Sequence, residues 1–208
     1  MPKKVKEKIV KERTPKVKRE RPAKKECSEC KFILLFLLMA VVLISSNYLA
    51  EVEIEVAGCT VLASMFVYPL VYLFSTMITK EYGREKALTA VMLAALLQTG
   101  YYIGMNLVCV IEMDALAVTG STVAFLTSQV AMVFLYHAIS KDVNLTSRAA
   151  LFVLYVFVIL LDDLIFIGLF GGKLVDSFQM TYVISCSVKS IVALAIVYIQ
   201  YLVEKELA

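Results

Sequence analysis

The sequence predicts an all-α polytopic membrane protein, a bundle of six transmembrane helices. Three observations carry that reading. The chain has 208 residues and is 60% hydrophobic, whereas a soluble domain is nearer half apolar. The apolar residues fall into six long runs after a polar start. Lys and Arg then sort to alternate connections between those runs.

The start is a tail, residues 1–31, with 13 Lys/Arg against 5 Glu. It lacks the apolar stretch of a cleavable signal. Pro2, Pro15 and Pro22 interrupt it, and so few apolar residues predict a disordered cytoplasmic arm. The rest of the chain, residues 32–208, is a single membrane domain carrying 8 basic and 13 acidic residues. The tail is a topology anchor that meets anionic lipid, worth ~1 kcal/mol per nearby Lys or Arg. It has no aromatic residue for base stacking, so no nucleic-acid partner is expected.

The six runs are Phe32–Ala50, Val56–Thr79, Ala87–Val110, Ala115–Ile139, Ala149–Phe170 and Met180–Val203. About 20 residues cross the ~30 Å hydrocarbon core, and all six reach that length with modest tilt. In lipid the backbone must satisfy its own hydrogen bonds, so each run is a helix. The strand-length alternation of a β-barrel is missing. The tail, Lys80, Arg84, Lys86, Lys141, Arg148 and Lys205 lie on one side of such a bundle and hold 19 of the 21 basic residues. The opposite connections hold only Lys173, and Lys189 lies inside the sixth run. The positive-inside rule places both termini in the cytoplasm of a multi-pass inner (plasma) membrane protein.

Charges inside the runs are the candidate site. Asp162 lies about 13 residues into the fifth run, ~20 Å deep, and Lys189 about 9 residues into the sixth from the other side, ~14 Å. The two heights permit a pair across antiparallel helices. Asp163 is turned about 100° away and is expected to need its own partner or a wet cavity. One reading is an ion pair that locks two helices, and the other is a substrate site or proton relay, the default for ionisable residues inside a membrane. Asn47, Tyr72, Ser75, Thr76, Gln98 and Gln129 add uncharged polar groups. Singly, each reads as an interhelical hydrogen bond worth about 0.6 kcal/mol. Together they read as a polar cavity whose amides and carboxylate suit the edge of a flat heterocycle, with tyrosine on its face.

Other motifs carry little. Cys27-Ser-Glu-Cys30 is a lone pair of thiols, and structural zinc wants four ligands. The one histidine, His137, ends the fourth run. Asn144-Leu-Thr146 fits a glycosylation pattern on the wrong side of the membrane. No phosphate loop, HExxH or triad is present. The chain is not expected to be an enzyme, and no cofactor or metal is implied.

Several stretches carry a family likeness. Val41-Val-Leu-Ile-Ser-Ser-Asn47 ends an apolar helix in Ser-Asn. Tyr68-Pro-Leu-Val-Tyr72 leads to Ser75-Thr76 and then Thr79-Lys80-Glu81-Tyr82-Gly83. Ser121 to Gln129, Leu161-Asp162-Asp163-Leu-Ile-Phe166, Phe170-Gly171 and Lys189 follow. The chain resembles a divergent member of the YhhQ/VUT family of queuosine-precursor transporters over most of residues 32–204. It departs from that family's acidic positions at Thr76, Lys80 and Met132. The resemblance implies import of a 7-deazapurine base such as preQ0, preQ1 or queuine for tRNA modification, by alternating access. It carries over Asn47, Tyr72, Gln129, Asp162 and Lys189 as substrate-binding residues. The expected partners are a purine-like small molecule and the bilayer, with a homodimer also admitted. Two alternatives stand beside it: a membrane scaffold or assembly factor on a diverged transporter fold, and the substrate-binding subunit of a vitamin-type importer.

Overall fold

A computed structural model of the protein describes residues 22–56, 59–108, 115–141, 148–170 and 178–206. Most of the basic tail, Cys109, Glu112, Asp114, Asn144, Thr146 and Lys173 lie outside the described residues. Helix α1 spans Pro22–Tyr48, so the helix begins ten residues ahead of the apolar run. A 3-10 turn, Leu49–Glu51, leads to strands β1 (Glu53–Val56) and β2 (Cys59–Leu62). Then come α2 (Ser64–Val67), α3 (Pro69–Leu107), α4 (Ala115–Ser140), α5 (Arg148–Ile165) with a π-helical turn at Phe166–Phe170, and α6 (Phe178–Glu206).

Among the described residues five helices are long and apolar enough to cross a membrane: Ser28–Tyr48, Ser64–Leu107, Val118–Ser140, Arg148–Gly168 and Tyr182–Leu202. The second, 44 residues long, is not straight. Gly83 interrupts it with φ 83° and ψ 173°. Side-chain neighbours show that the chain turns back there. In the first arm (residues 69–82), the Tyr82 hydroxyl donates to the Ser28 carbonyl and Ser75 meets Met39. In the second arm (residues 84–107), Lys86 lies over the Phe32 ring and Tyr102 reaches the Ile44 carbonyl. The first arm therefore runs against α1 and the second runs with it.

The remaining helices continue the alternation. Gln98 meets Ser121 while Arg84 lies over Phe134, so α4 opposes the second arm. Tyr68 meets Asp162 while Thr76 meets Tyr155, so α5 opposes the first arm. Lys189 meets Asp162 while Arg148 lies over Tyr201, so α6 opposes α5. Gly83, Arg84, Lys86 and Arg148 share one end with the start of α1. The β1–β2 hairpin belongs to the other.

That hairpin corrects one expected boundary. The second apolar run was expected to be helical from Val56. Instead Glu53–Val56 pairs antiparallel with Cys59–Leu62, Val56 opposite Cys59 and Glu53 opposite Leu62. Two residues join the strands, and β-branched Ile54, Val56, Thr60 and Val61 favour them. The Ala63 N–H closes the base on the Val52 carbonyl at 2.9 Å. Helix begins only at Ser64.

Two apolar clusters fill the bundle, and the first arm of α3 belongs to both. One joins Leu35, Met39 and Leu43 of α1 to Val71, Ile78, Ala87, Ala90, Ala94, Phe125 and Val133. Alanine at 87, 90 and 94 puts small residues along one face of the second arm, and small residues let membrane helices approach closely. The other cluster joins Tyr72 and Met132 to Tyr155, Val158, Ile159, Ala193 and Ile196. The outer surface is apolar, with Leu34, Val41, Leu96, Val153 and Ile191 exposed.

At Gly83 a side chain has space, because a Cβ would meet nothing within 4 Å. The constraint is the backbone conformation, which costs about 1–3 kcal/mol for other residues. Gly83→Ala is expected to lower stability by that amount in a detergent unfolding titration, with no change in cavity packing.

Candidate functional site

The buried charges lie where α5 and α6 cross. The Lys189 ammonium donates to Asp162 Oδ2 at 3.4 Å and, more closely, to Asp163 Oδ1. All three residues are buried. The expectation that Asp163 stands apart is therefore corrected. Adjacent residues on a helix diverge by about 100°, so a seam between them is about 50° from each. Lys189 occupies that seam, and its long stem lets one ammonium serve both carboxylates.

Neighbours complete the shell. Asp162 Oδ1 accepts from the Tyr68 hydroxyl at 2.9 Å and from Ser128 Oγ at 3.1 Å. Asp163 Oδ2 accepts from the Cys186 thiol at 3.4 Å. The Tyr68 ring lies beneath the ammonium, 5.0 Å from its nitrogen, within cation–π range. Donors to Asp162 thus come from α4, α6 and the turn between α2 and α3. Buried charges persist only when paired and hydrogen-bonded in this way.

Pro69 explains how Tyr68 reaches the site. Proline has no N–H, so the helical ladder is interrupted at that position. Tyr68 keeps helical angles, φ −55° and ψ −39°. The Tyr68 N–H still bonds the Ser64 carbonyl, and the Val71 N–H tightens onto Tyr68, both at 2.9 Å. The interruption is absorbed in one tight turn, with Tyr68 facing α5.

A second polar layer sits one turn further along the first arm. Ser75 Oγ donates to Gln129 Oε1 and approaches Met39 Sδ at 3.7 Å. Thr76 Oγ1 and the Tyr155 hydroxyl lie 2.9 Å apart. Tyr72 lies between these groups and the charges, its ring edge-on to Tyr68 with centroids 5.6 Å apart and tilted against Tyr155 at 6.3 Å. Its hydroxyl is buried without a hydrogen-bond partner, and so is Gln129 Nε2. A third layer holds Asn47, whose Oδ1 accepts from Ser121 Oγ at 2.8 Å and whose Nδ2 donates to the Leu43 carbonyl at 3.0 Å. Gln98 Nε2 donates to Ser121 at 3.3 Å.

Of the five predicted residues, Asp162 and Lys189 are in direct contact. Tyr72 packs against their partner Tyr68, and Gln129 follows Ser128 on α4. Asn47 belongs to the separate Ser121–Gln98 group. Tyr68, Ser128 and Asp163 were not among the predicted binding residues. Tyr68 was legible as the residue one turn before Tyr72, on the same face. Ser128 carried no such signal, because serine in an apolar helix most often bonds its own backbone, as Ser128 also does to the Phe125 carbonyl. The positions where the resemblance expects acids are filled: Met132 packs in the second apolar cluster and Thr76 bonds Tyr155. Among the described residues no group of three or more His, Cys, Asp or Glu is arranged to hold a metal ion.

No family model, no characterised protein and no solved structure matches this chain.

Hydrogen bonds to a charged group contribute about 1.5–3 kcal/mol. Tyr68→Phe is expected to destabilise the protein by about that much, and Thr127→Val, whose hydroxyl donates to the Val123 carbonyl of its own helix on the exposed surface, by less than about 1 kcal/mol. Parallel unfolding titrations in detergent read the difference.

Proposed function

We propose that the chain is a solute carrier with six membrane spans and both termini in the cytoplasm, importing a purine-like base of the queuosine-precursor class by alternating access. The reversal at Gly83 supports six spans, because it divides the longest helix into two arms beside Lys80, Arg84 and Lys86. Their charge sets the Gly83 end inside.

One observation carries the carrier reading. The Tyr72 hydroxyl and Gln129 Nε2 are buried and unpartnered beside a layer of satisfied polar groups. An unmet buried polar atom costs about 1–3 kcal/mol, a cost that a bound polar ligand removes. A flat base with donors and acceptors on its edge meets these needs: Gln129 Nε2 donates to a ring nitrogen or carbonyl, and Asp162 accepts from ring N–H groups. Tyr72 offers a hydroxyl to the edge and a ring to the face. Lys189 neutralises Asp162, and Asn47 lines the outer approach with Ser121. Chemistry of this kind needs only binding and release, with no bond made or broken.

A second reading has its own observation. Thr76 and Met132, both inward-facing, are committed to internal contacts where a related carrier has acids. A scaffold on a carrier fold, acting through the basic tail in the inner membrane, fits that loss.

Uptake of labelled 7-deazapurine base into cells lacking their own importer separates the two. The carrier reading expects time-dependent accumulation, reduced by about tenfold or more in Asp162→Asn, since a lost charged hydrogen bond is worth at least that. A well-expressed chain without uptake would leave the scaffold. Uptake unchanged by Asp162→Asn would move the site elsewhere.

A further inference from the structure

The binding reading sets Lys189 against Asp162 and leaves Asp163 without a role. Two carboxylates and one ammonium sum to −1 when all are ionised, and all three residues are buried. Among the described residues no other Asp, Glu, Lys or Arg is buried. The other described Lys and Arg lie in segments 22–31, 80–86 and 141–148 or at Lys205, toward the Gly83 end. No second cation of the chain therefore completes the balance. Charges held at membrane depth are matched by an opposite charge, from the protein or from what it carries.

The hydrogen bonds show where the charge is least satisfied. Asp162 Oδ1 has two good donors, Tyr68 and Ser128, and Asp163 Oδ1 has the ammonium. The other two oxygens fare worse. Lys189 stands 3.4 Å from Asp162 Oδ2, beyond the about 2.7–2.9 Å of a close charged hydrogen bond. Asp163 Oδ2 meets the Cys186 thiol at 3.4 Å, and a thiol is a weak donor. A separate observation also asks for a ligand. The Tyr72 hydroxyl, fully buried and without a hydrogen-bond partner, lies in the field of both carboxylates. Its oxygen can accept from a cation, and its ring packs edge-on to Tyr68, which already holds one ammonium over its face. Tyr182 is one turn from Cys186 on the same face of α6, on the side away from Gly83. Its ring puts an aromatic surface, which attracts cations, on the approach to Asp163.

We propose that the carried base is a cation, with its ring edge at Asp162 and a protonated amine on a short arm held at Asp163 Oδ2. The inference rests on the carrier reading and narrows its substrate class to bases that bear one amine. An alkyl amine, with a pKa of about 10, is protonated at pH 7. It brings three strong donors, one of which takes the place of the Cys186 thiol on Asp163. The loaded cluster is then neutral. A nitrile on the same ring brings neither charge nor donor and leaves the −1 in place. Each import cycle moves the substrate's one positive charge inward, so an inside-negative potential drives accumulation without a coupling ion.

The full-length chain in liposomes tests this with two labelled probes that share a ring: the 7-aminomethyl base preQ1, a cation at pH 7, and the neutral 7-cyano base preQ0. Without a gradient, uptake of preQ1 is expected to be about tenfold or more faster than that of preQ0, the worth of one charged hydrogen bond. A potassium diffusion potential of ~60 mV, inside negative, is expected to accumulate preQ1 about tenfold, since one charge is worth ~2.3 kcal/mol per 100 mV. Asp163→Asn is expected to bring the two uptake rates within about threefold of each other. Asp163→Glu, which keeps the charge, is expected to keep the preference. Wild-type uptake that treats the two bases alike or favours preQ0 overturns the cation reading and leaves the carrier reading standing, and so does preQ1 accumulation that ignores the potential. A preference that survives Asp163→Asn overturns the seat at Asp163. Uptake of neither base by the wild-type chain overturns the carrier reading, and the proposal with it.

Discussion

An ammonium buried among helices needs carboxylates, and buried carboxylates need an ammonium and further donors. Lys189 of α6 and the Asp162–Asp163 pair of α5 meet both needs at once. Satisfying the remaining acceptor sites draws in Ser128 from α4 and Tyr68 from the α2–α3 turn. Four segments are therefore fixed in register at one point, and the second apolar cluster packs around it. Helix α1 and the second arm of α3 sit outside this arrangement. They are held instead by the first apolar cluster and by the Asn47–Ser121–Gln98 group.

The first arm of α3 links the two halves, which makes its ends important. One end carries Pro69, where a missing N–H is absorbed in a single turn and Tyr68 is aimed at Asp162. The other carries Gly83, whose positive φ lets the chain reverse. Between them, residues 72, 75 and 76 place polar side chains toward α4 and α5, while Val71 and Ile78 pack in the cluster shared with α1. The arm is polar on one face and apolar on the other, as a wall between a site and a core must be.

Much of this was legible in the sequence. Run length and the distribution of Lys and Arg anticipated long apolar helices broken near residues 80–86, because hydropathy and charge are properties of segments. The Asp162–Lys189 pair was legible because heights along antiparallel helices follow from counting residues. The second strand of the hairpin, Cys59–Leu62, was hidden inside an apolar run, where only β-branched Thr60 and Val61 mark a strand. Asp163 was placed apart because helical phase alone ignores the reach of a lysine stem. Asn47 was grouped with Asp162 on polarity and likeness, whereas its contacts are with Ser121. Which polar side chains meet depends on helix rotation, and a single sequence of uniformly apolar helices carries little information on that.

Lys189, Asp162 and Asp163 form one unit rather than three separate buried charges. A thermodynamic cycle in detergent unfolding measures this directly. Lys189→Met alone leaves two carboxylates uncompensated and is expected to cost about 3–5 kcal/mol. Adding Asp162→Asn and Asp163→Asn to it removes the uncompensated charge and is expected to restore most of that stability. Substitutions whose costs simply add, with the triple variant the least stable of all, would contradict the account.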